Sequence, residues 1–227
     1  MLRTTGPSPV DRPVLVEAAV ETADAAVAAQ RAGASRIELC GRLDIGGTTP
    51  LLSVIEETLS RVDIPVCVMV RPRGGDFTYS EDEVSLMTKD VELIRSRQPA
   101  GIVMGLTGPG GQLHMSHLLR LLAAANSIPV TFHRAFDALL HPHAALEDLI
   151  DLRVARVLTS GGGVSAVAGA NNLAALVRQA RDRITIIAGG GVRAPNVLDL
   201  VQRTGVREVH ARFVDEAQMR ALVEAVR

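Results

Sequence analysis

The run PVCVMVRPRGGDFTYS, residues 65–80, passes from buried strand to polar loop, and the reading of the whole chain turns on it. Val66 to Val70 are uninterrupted apolar residues, a length that suits a strand covered on both faces. Arg71 follows, and Pro72 ends the strand because it has no N–H to give a neighbour. Gly74 and Gly75 admit backbone angles closed to other residues. Asp76, Phe77 and Tyr79, the only tyrosine, complete the loop. Arg71 and Arg73 have two readings. Pairing with Asp76 would stiffen the loop, whereas a free guanidinium fork would clamp a carboxylate or phosphate.

Outward from this stretch, strand and helix patterns alternate. Strands are expected at Val14–Ala18, Arg36–Cys40, Val66–Arg71, Gly101–Gly105, Val130–His133, Arg156–Thr159, Ile184–Ala188 and Val206–His210. A helix follows each, the one after Arg71 opening on Ser80 as N-cap with three acids behind it, where the helix dipole favours them. Such alternation predicts an α/β fold, a single-domain (β/α)8 TIM barrel over residues 14–227 with a loose tail at 1–13.

Composition narrows the chemistry. The net charge of −1 argues against a general nucleic-acid binder. Lys89 is the only lysine among the 24 basic residues and follows no glycine-rich loop, which argues against Schiff-base and P-loop chemistry. Two cysteines, Cys40 and Cys67, provide no disulfide framework and fit a reducing compartment. Neither a signal peptide nor an apolar run of about 18 residues is expected, so no membrane partner is either.

In a barrel of this kind the active site lies at the C-terminal ends of the strands. Reading the last inward residue of each strand yields Glu17, Glu38 with Cys40, Arg71, His133, Thr159 and His210. Buried charges are rare unless paired, so either these groups neutralise one another or they line a polar cavity. Glu17, Glu38, His133 and His210 are the acid–base candidates. Arg71, Arg73, Asp76, Arg134, Asp137, Thr159, Ser160, Gly161, Gly189 and Gly190 are candidates for holding a small anionic ligand, the glycines because barrel enzymes bind phosphate on such loops. Cys67, inside an apolar run, is expected to be an inert core residue.

GASRIELC (33–40), GGTTP (46–50), PVCVMVRPRGGDFTYS (65–80), GIVMGL (101–106), VTFHRAFD (130–137), ARVLTSGG (155–162), IIAGGGV (186–192) and EVH (208–210) together resemble the CutC family of copper homeostasis proteins, in the family's order. The resemblance implies a cytoplasmic TIM barrel, a homo-oligomer, and a copper ion bound through cysteine, for which Cys40 is the candidate ligand. It brings no established reaction. The family's first strand usually carries Glu-x-Cys, and here Glu17-Ala18-Ala19 has no thiol. Cu(I) prefers soft sulfur ligands, so a site with Cys40 alone needs help from a histidine, a methionine or a second subunit. An acid–base or metal-assisted barrel enzyme acting on a small phosphorylated or carboxylated substrate is the alternative to the copper role.

Overall fold

The computed structural model describes residues 13–227; residues 1–12 of the expected tail lie outside the described residues. The expected architecture is present. The strands β1 (Leu15–Val20), β2 (Arg36–Leu39), β3 (Val66–Met69), β4 (Gly101–Met104), β5 (Val130–Phe132), β6 (Arg156–Thr159), β7 (Thr185–Gly189) and β8 (Glu208–Arg212) close a barrel in sequence order. Every neighbouring pair is parallel, and β1 closes on β8. The helices α1 (Ala23–Arg31), α2 (Leu52–Arg61), α3 (Glu81–Arg95), α4 (Met115–Ala125), α5 (Pro142–Asp151), α6 (Ala170–Ala180), α7 (Ala194–Thr204) and α8 (Glu216–Glu224) follow their strands in turn.

The alternation of side chains along each strand explains the two interiors. Ala18, Val20, Ile37, Leu39, Val66 and Val68 join the buried residues of the helices in one apolar core. α1 presents Ala23, Ala26 and Ala29 to that core, small residues that let it lie close to the barrel. α3 begins as expected: the Ser80 hydroxyl accepts from the Glu83 N–H at 3.2 Å, and the Glu83 carboxylate accepts from the Ser80 N–H at 2.8 Å.

The opposite parity points into the barrel, and its lower layer is ionic. Arg36 donates to Glu17 and, at 2.5 Å, to Glu208, while Arg156 lies 3.5 Å from Glu208. The Arg36 pairs survive burial because each charge has its partner within bonding distance, whereas Arg156 Nε makes only the longer ion pair. Two glycines at inward positions make room for the layer above. A Cβ on Gly105 would stand 2.5 Å from His133 Nδ1, and one on Gly189 would stand 2.5 Å from Leu158 Cδ1. β1 and β8 each run two residues beyond the expected ends, to Val20 and Arg212. That extension lowers Glu17 within the barrel and raises Ala19 and Arg212 to its mouth.

Candidate active site

A cavity of about 250 Å³ opens at the C-terminal mouth of the barrel. Its wall includes Glu38, His133, His210, Arg134 and Gly190 from the expected set, together with Ala19, Met69, Phe77, Leu158, Gly191, Arg193 and Arg212.

Glu38 and His210 come from neighbouring parts of the barrel rim and are tied from below by Glu17. His210 Nδ1 lies 2.8 Å from Glu17 Oε1, and its Nε2 lies 3.7 Å from Glu38 Oε2. Burial alone would lower the histidine pKa, but the two carboxylates more than offset it and raise the group above its ordinary value. Glu17 is the mirror case. Burial disfavours its charge, yet the His210 and Arg36 contacts win and lower it to about 2. Glu38 keeps a raised pKa, from burial and then from Glu17, against the pull of His210. Its Oε1 is buried and has no hydrogen-bond partner among the described residues. Glu17 is 1% exposed and does not line the cavity, so it positions His210 instead of acting as a second acid or base at the mouth.

His133 follows β5, and its ring lies over Gly105. Nδ1 accepts a hydrogen bond from the Ala135 N–H at 3.2 Å, which places the remaining ring proton on Nε2. Burial, then the nearby Arg71, lowers its pKa to about 3, so the ring is neutral at physiological pH. Nε2 is buried and unpartnered among the described residues. His133 is therefore a neutral side chain of the cavity wall whose unpartnered ring nitrogen is a hydrogen-bond donor.

The arginine loop turns out to be internal architecture. Arg71 is 4% exposed and donates to the carbonyls of Ile45 at 3.1 Å, Gly47 at 2.9 Å and Gly75 at 2.8 Å, with its guanidinium over the Phe77 ring. It staples the loop after β2 to the loop after β3. Arg73 pairs with Asp76 at 3.1 Å and Glu83 at 2.5 Å and stacks on Tyr79. The pairing that stiffens the loop is the one Arg73 adopts, and at Arg71 the buried Nε is left without a partner among the described residues.

The glycine run after β6 is similarly occupied. Asp137 sends its carboxylate into it and accepts from the Thr159 hydroxyl, from the Ser160 N–H at 3.1 Å, from the Gly162 N–H at 3.2 Å and from Arg134 Nε at 2.8 Å. An internal carboxylate fills the anion nest that Ser160 and Gly161 were expected to offer a ligand. Thr159 faces away from the cavity, and Leu158 takes the inward position; the expected parity was off by one. The run after β7 differs. Gly190 and Gly191 line the cavity, and their N–H groups carry no hydrogen bond among the described residues. A Cβ on Gly190 would lie 3.7 Å from the Arg134 guanidinium carbon, so that cation stands beside the open backbone. Gly189 itself sits below, filled by Leu158. Arg193 and Arg212 add positive charge to the wall; Arg212 stands at the position two after His210, a period-two signal that a longer β8 would have revealed.

The sulfur groups and the carboxylate cluster bear on metals. Donor atoms of Glu17, Glu38 and His210 lie within 4.8 Å of one another, close enough to share a metal ion, and the imidazole lies between the two carboxylates. Cys40 is fully buried, and its thiol donates to Glu38 Oε2 at 3.4 Å. Burial, then Glu38, raises its pKa well above 9, which disfavours the thiolate that copper requires. Cys67, in the same apolar cluster with Met69, is pushed up to about 12, as befits an inert thiol.

Family comparison agrees with this barrel. The CutC family model matches residues 14–214. The chain belongs to the CutC family. A CutC family protein of Xylella fastidiosa is 46% identical over 196 residues, covering 86% of this chain and 73% of that protein. The human copper homeostasis protein cutC homolog is 42% identical over 196 residues, covering 86% of this chain and 72% of its own length. The crystal structure of a CutC protein from Streptococcus agalactiae superposes with a TM-score of 0.83 at 32% identity, covering 88% of this chain and all of that one. Within the CutC frame, Ala19 is the position where the first-strand cysteine was expected, and it is part of the cavity wall. No helix among the described residues is long and apolar enough to cross a membrane.

Proposed function

We propose that this CutC protein is a barrel enzyme that binds a small anionic substrate at the mouth and works on it by acid–base chemistry. One observation carries the reading: two buried polar atoms without partners, Glu38 Oε1 and His133 Nε2, belong to side chains in the wall of one cavity. A buried polar group left unmade costs about 1–3 kcal/mol, and these two, which share one cavity wall, are the pair that a ligand bound there would satisfy. Arg134, Arg193 and Arg212 around them favour an anion. Glu38, with its raised pKa, is the proton-transfer group, His133 a neutral donor, and Glu17 sets the His210 imidazolium against Glu38.

The test is a thermal-shift screen of phosphorylated and carboxylated small molecules against the full chain and Arg134→Ala. A ligand that raises Tm in the parent, and at least tenfold less potently in the variant, supports the reading. A screen without a ligand, or a ligand indifferent to Arg134 and His133 substitutions, overturns it.

The copper role named for the human relative is a second reading. The sulfur cluster of Cys40, Cys67 and Met69 behind the cavity wall favours it. It requires Cys40 to release its proton beside Glu38, with Ala19 providing no second thiolate. Copper would be cargo here, and the protein would act in the cytoplasm, as an oligomer in which a second copy completes the ligand set. Cu(I) competition against a calibrated chelator, with Cys40→Ala alongside, decides it: tight binding lost in the variant sustains copper, and binding indifferent to Cys40 removes it.

A further inference from the structure

We infer that the substrate is a small phosphorylated α-hydroxy carbonyl compound and that the site enolises it, with Glu38 taking the α-proton, His133 Nε2–H receiving the carbonyl oxygen, and the open backbone at Gly190–Gly191 with Arg134 holding the phosphate. This deepens the anion-binding reading above and rests on it.

The assignment comes from what each wall of the cavity can and cannot do. His133 has a single free hydrogen-bonding function, a donor, because Ala135 N–H fixes Nδ1 as the acceptor. A neutral donor with no partner suits an oxygen that gains negative charge during the reaction, the role of an oxyanion donor. It suits a carbonyl better than a phosphate, which would call for a cation. Glu38 offers the complementary function, an oxygen with a free lone pair; burial raises its basicity, while His210 beside it favours the charged form. The third wall is cationic and backbone-lined: Gly190 and Gly191 with unengaged N–H groups, the Arg134 guanidinium beside Gly190, and the start of α7 just beyond. The neighbouring nest after β6 cannot serve, since Asp137 already fills it. A cavity of about 250 Å³ holds roughly eight waters' worth of volume, room for a substrate of a few carbons and a phosphate.

The step balances within these groups. The Glu38 carboxylate forms an O–H bond to the α-proton, and the C–H pair becomes a C=C bond. The C=O π pair moves onto oxygen, which the His133 N–H stabilises. Return of the proton to the same carbon restores the carbonyl compound and the Glu38 carboxylate, so no oxidant is consumed.

Phosphoglycolohydroxamate, a planar mimic of an enediolate, tests this against phosphoglycolate and inorganic phosphate by calorimetric binding to the full chain. The expected result is hydroxamate binding at least tenfold tighter than phosphoglycolate. His133→Phe should collapse that ratio to within about twofold while phosphate binding persists, and His133→Gln, which keeps an N–H donor, should restore part of it. Tm and circular dichroism of each variant establish that it is folded. Deuterium uptake by dihydroxyacetone phosphate in D2O, followed by NMR and abolished in Glu38→Gln, is the second readout. Phosphate bound without hydroxamate preference and without deuterium uptake overturns the enolisation and leaves anion binding standing. If none of the three probes binds, both readings fall.

Discussion

Replacing Asp137 with alanine should turn an occupied anion nest into an empty one. The carboxylate accepts from five donors: the hydroxyls of Thr159 and Ser160, the N–H groups of Ser160 and Gly162, and Arg134 Nε. Its side chain is 13% exposed, so solvent replaces little of this in the variant. A hydrogen bond to a charged group contributes about 1.5–3 kcal/mol, and neighbouring bonds in one network do not add fully. Gly162 lies at the exposed edge of the nest and can turn to water. The net loss should therefore be about 3 kcal/mol, which for a chain of this size lowers Tm by roughly 6–12 °C. Acetate then provides the decisive assay. At ten times its Kd for the emptied nest it should return about 1.4 kcal/mol, near half the loss, while leaving the parent protein almost unmoved. Denaturant titration and thermal scans with and without acetate measure both numbers. A loss below about 1 kcal/mol, or an acetate effect equal in parent and variant, would refute the claim that an internal carboxylate is what fills the loop after β6.

Four further outcomes follow from the site. Glu17 holds a folded pKa of about 2 against an ordinary 4.5, so its contribution is complete above 4.5 and is lost as pH falls toward 2, a matter of roughly 3 kcal/mol; acid titrations of the parent and Glu17→Gln should converge in that window. His210 runs the other way, because its raised pKa contributes stability below 6.5 that disappears as pH rises through the folded value. Gly105→Ala puts a Cβ 2.5 Å from His133 Nδ1 and must displace the ring; Tm should drop by about 1–3 kcal/mol equivalent, and ligand binding should fall more than in a Gly→Ala change far from the cavity. Cys40 is fully buried with a thiol pKa well above 9, so maleimide at pH 7.5 should label it at least about 100-fold more slowly in the folded chain than in urea, and rapid native labelling would remove the buried-thiol description.

The barrel was legible because its two periods are local. Apolar runs bounded by glycine and proline mark strands wherever they fall, and alanine-rich or capped segments mark helices, so eight repeats of the pattern leave one closed architecture. Parity carried the reading correctly to Glu38, His133 and His210, since a side chain two residues along a strand returns to the same face. It failed where the strand limits were misjudged. β1 continues to Val20, which sinks Glu17 beneath the mouth, and β6 turns Leu158 inward, which sends Thr159 outward to Asp137. The partnerships that decide chemistry were out of reach for a different reason. Arg71 finds its carbonyls in the loop at Ile45 and Gly47, and Asp137 finds its nest more than twenty residues away, at Ser160 and Gly162. No spacing rule encodes contacts between different βα loops, because those loops meet only after the barrel has closed. The same logic applies to β4 and β7, whose inward ends are glycines. Gly105, and Gly189 from the ligand-holding candidates, are the spaces into which the His133 ring and Leu158 pack. A glycine at a barrel's inward position is thus a statement about its neighbour's side chain, and here it is Gly105 that makes room for a neutral histidine in the cavity wall with one donor unpartnered.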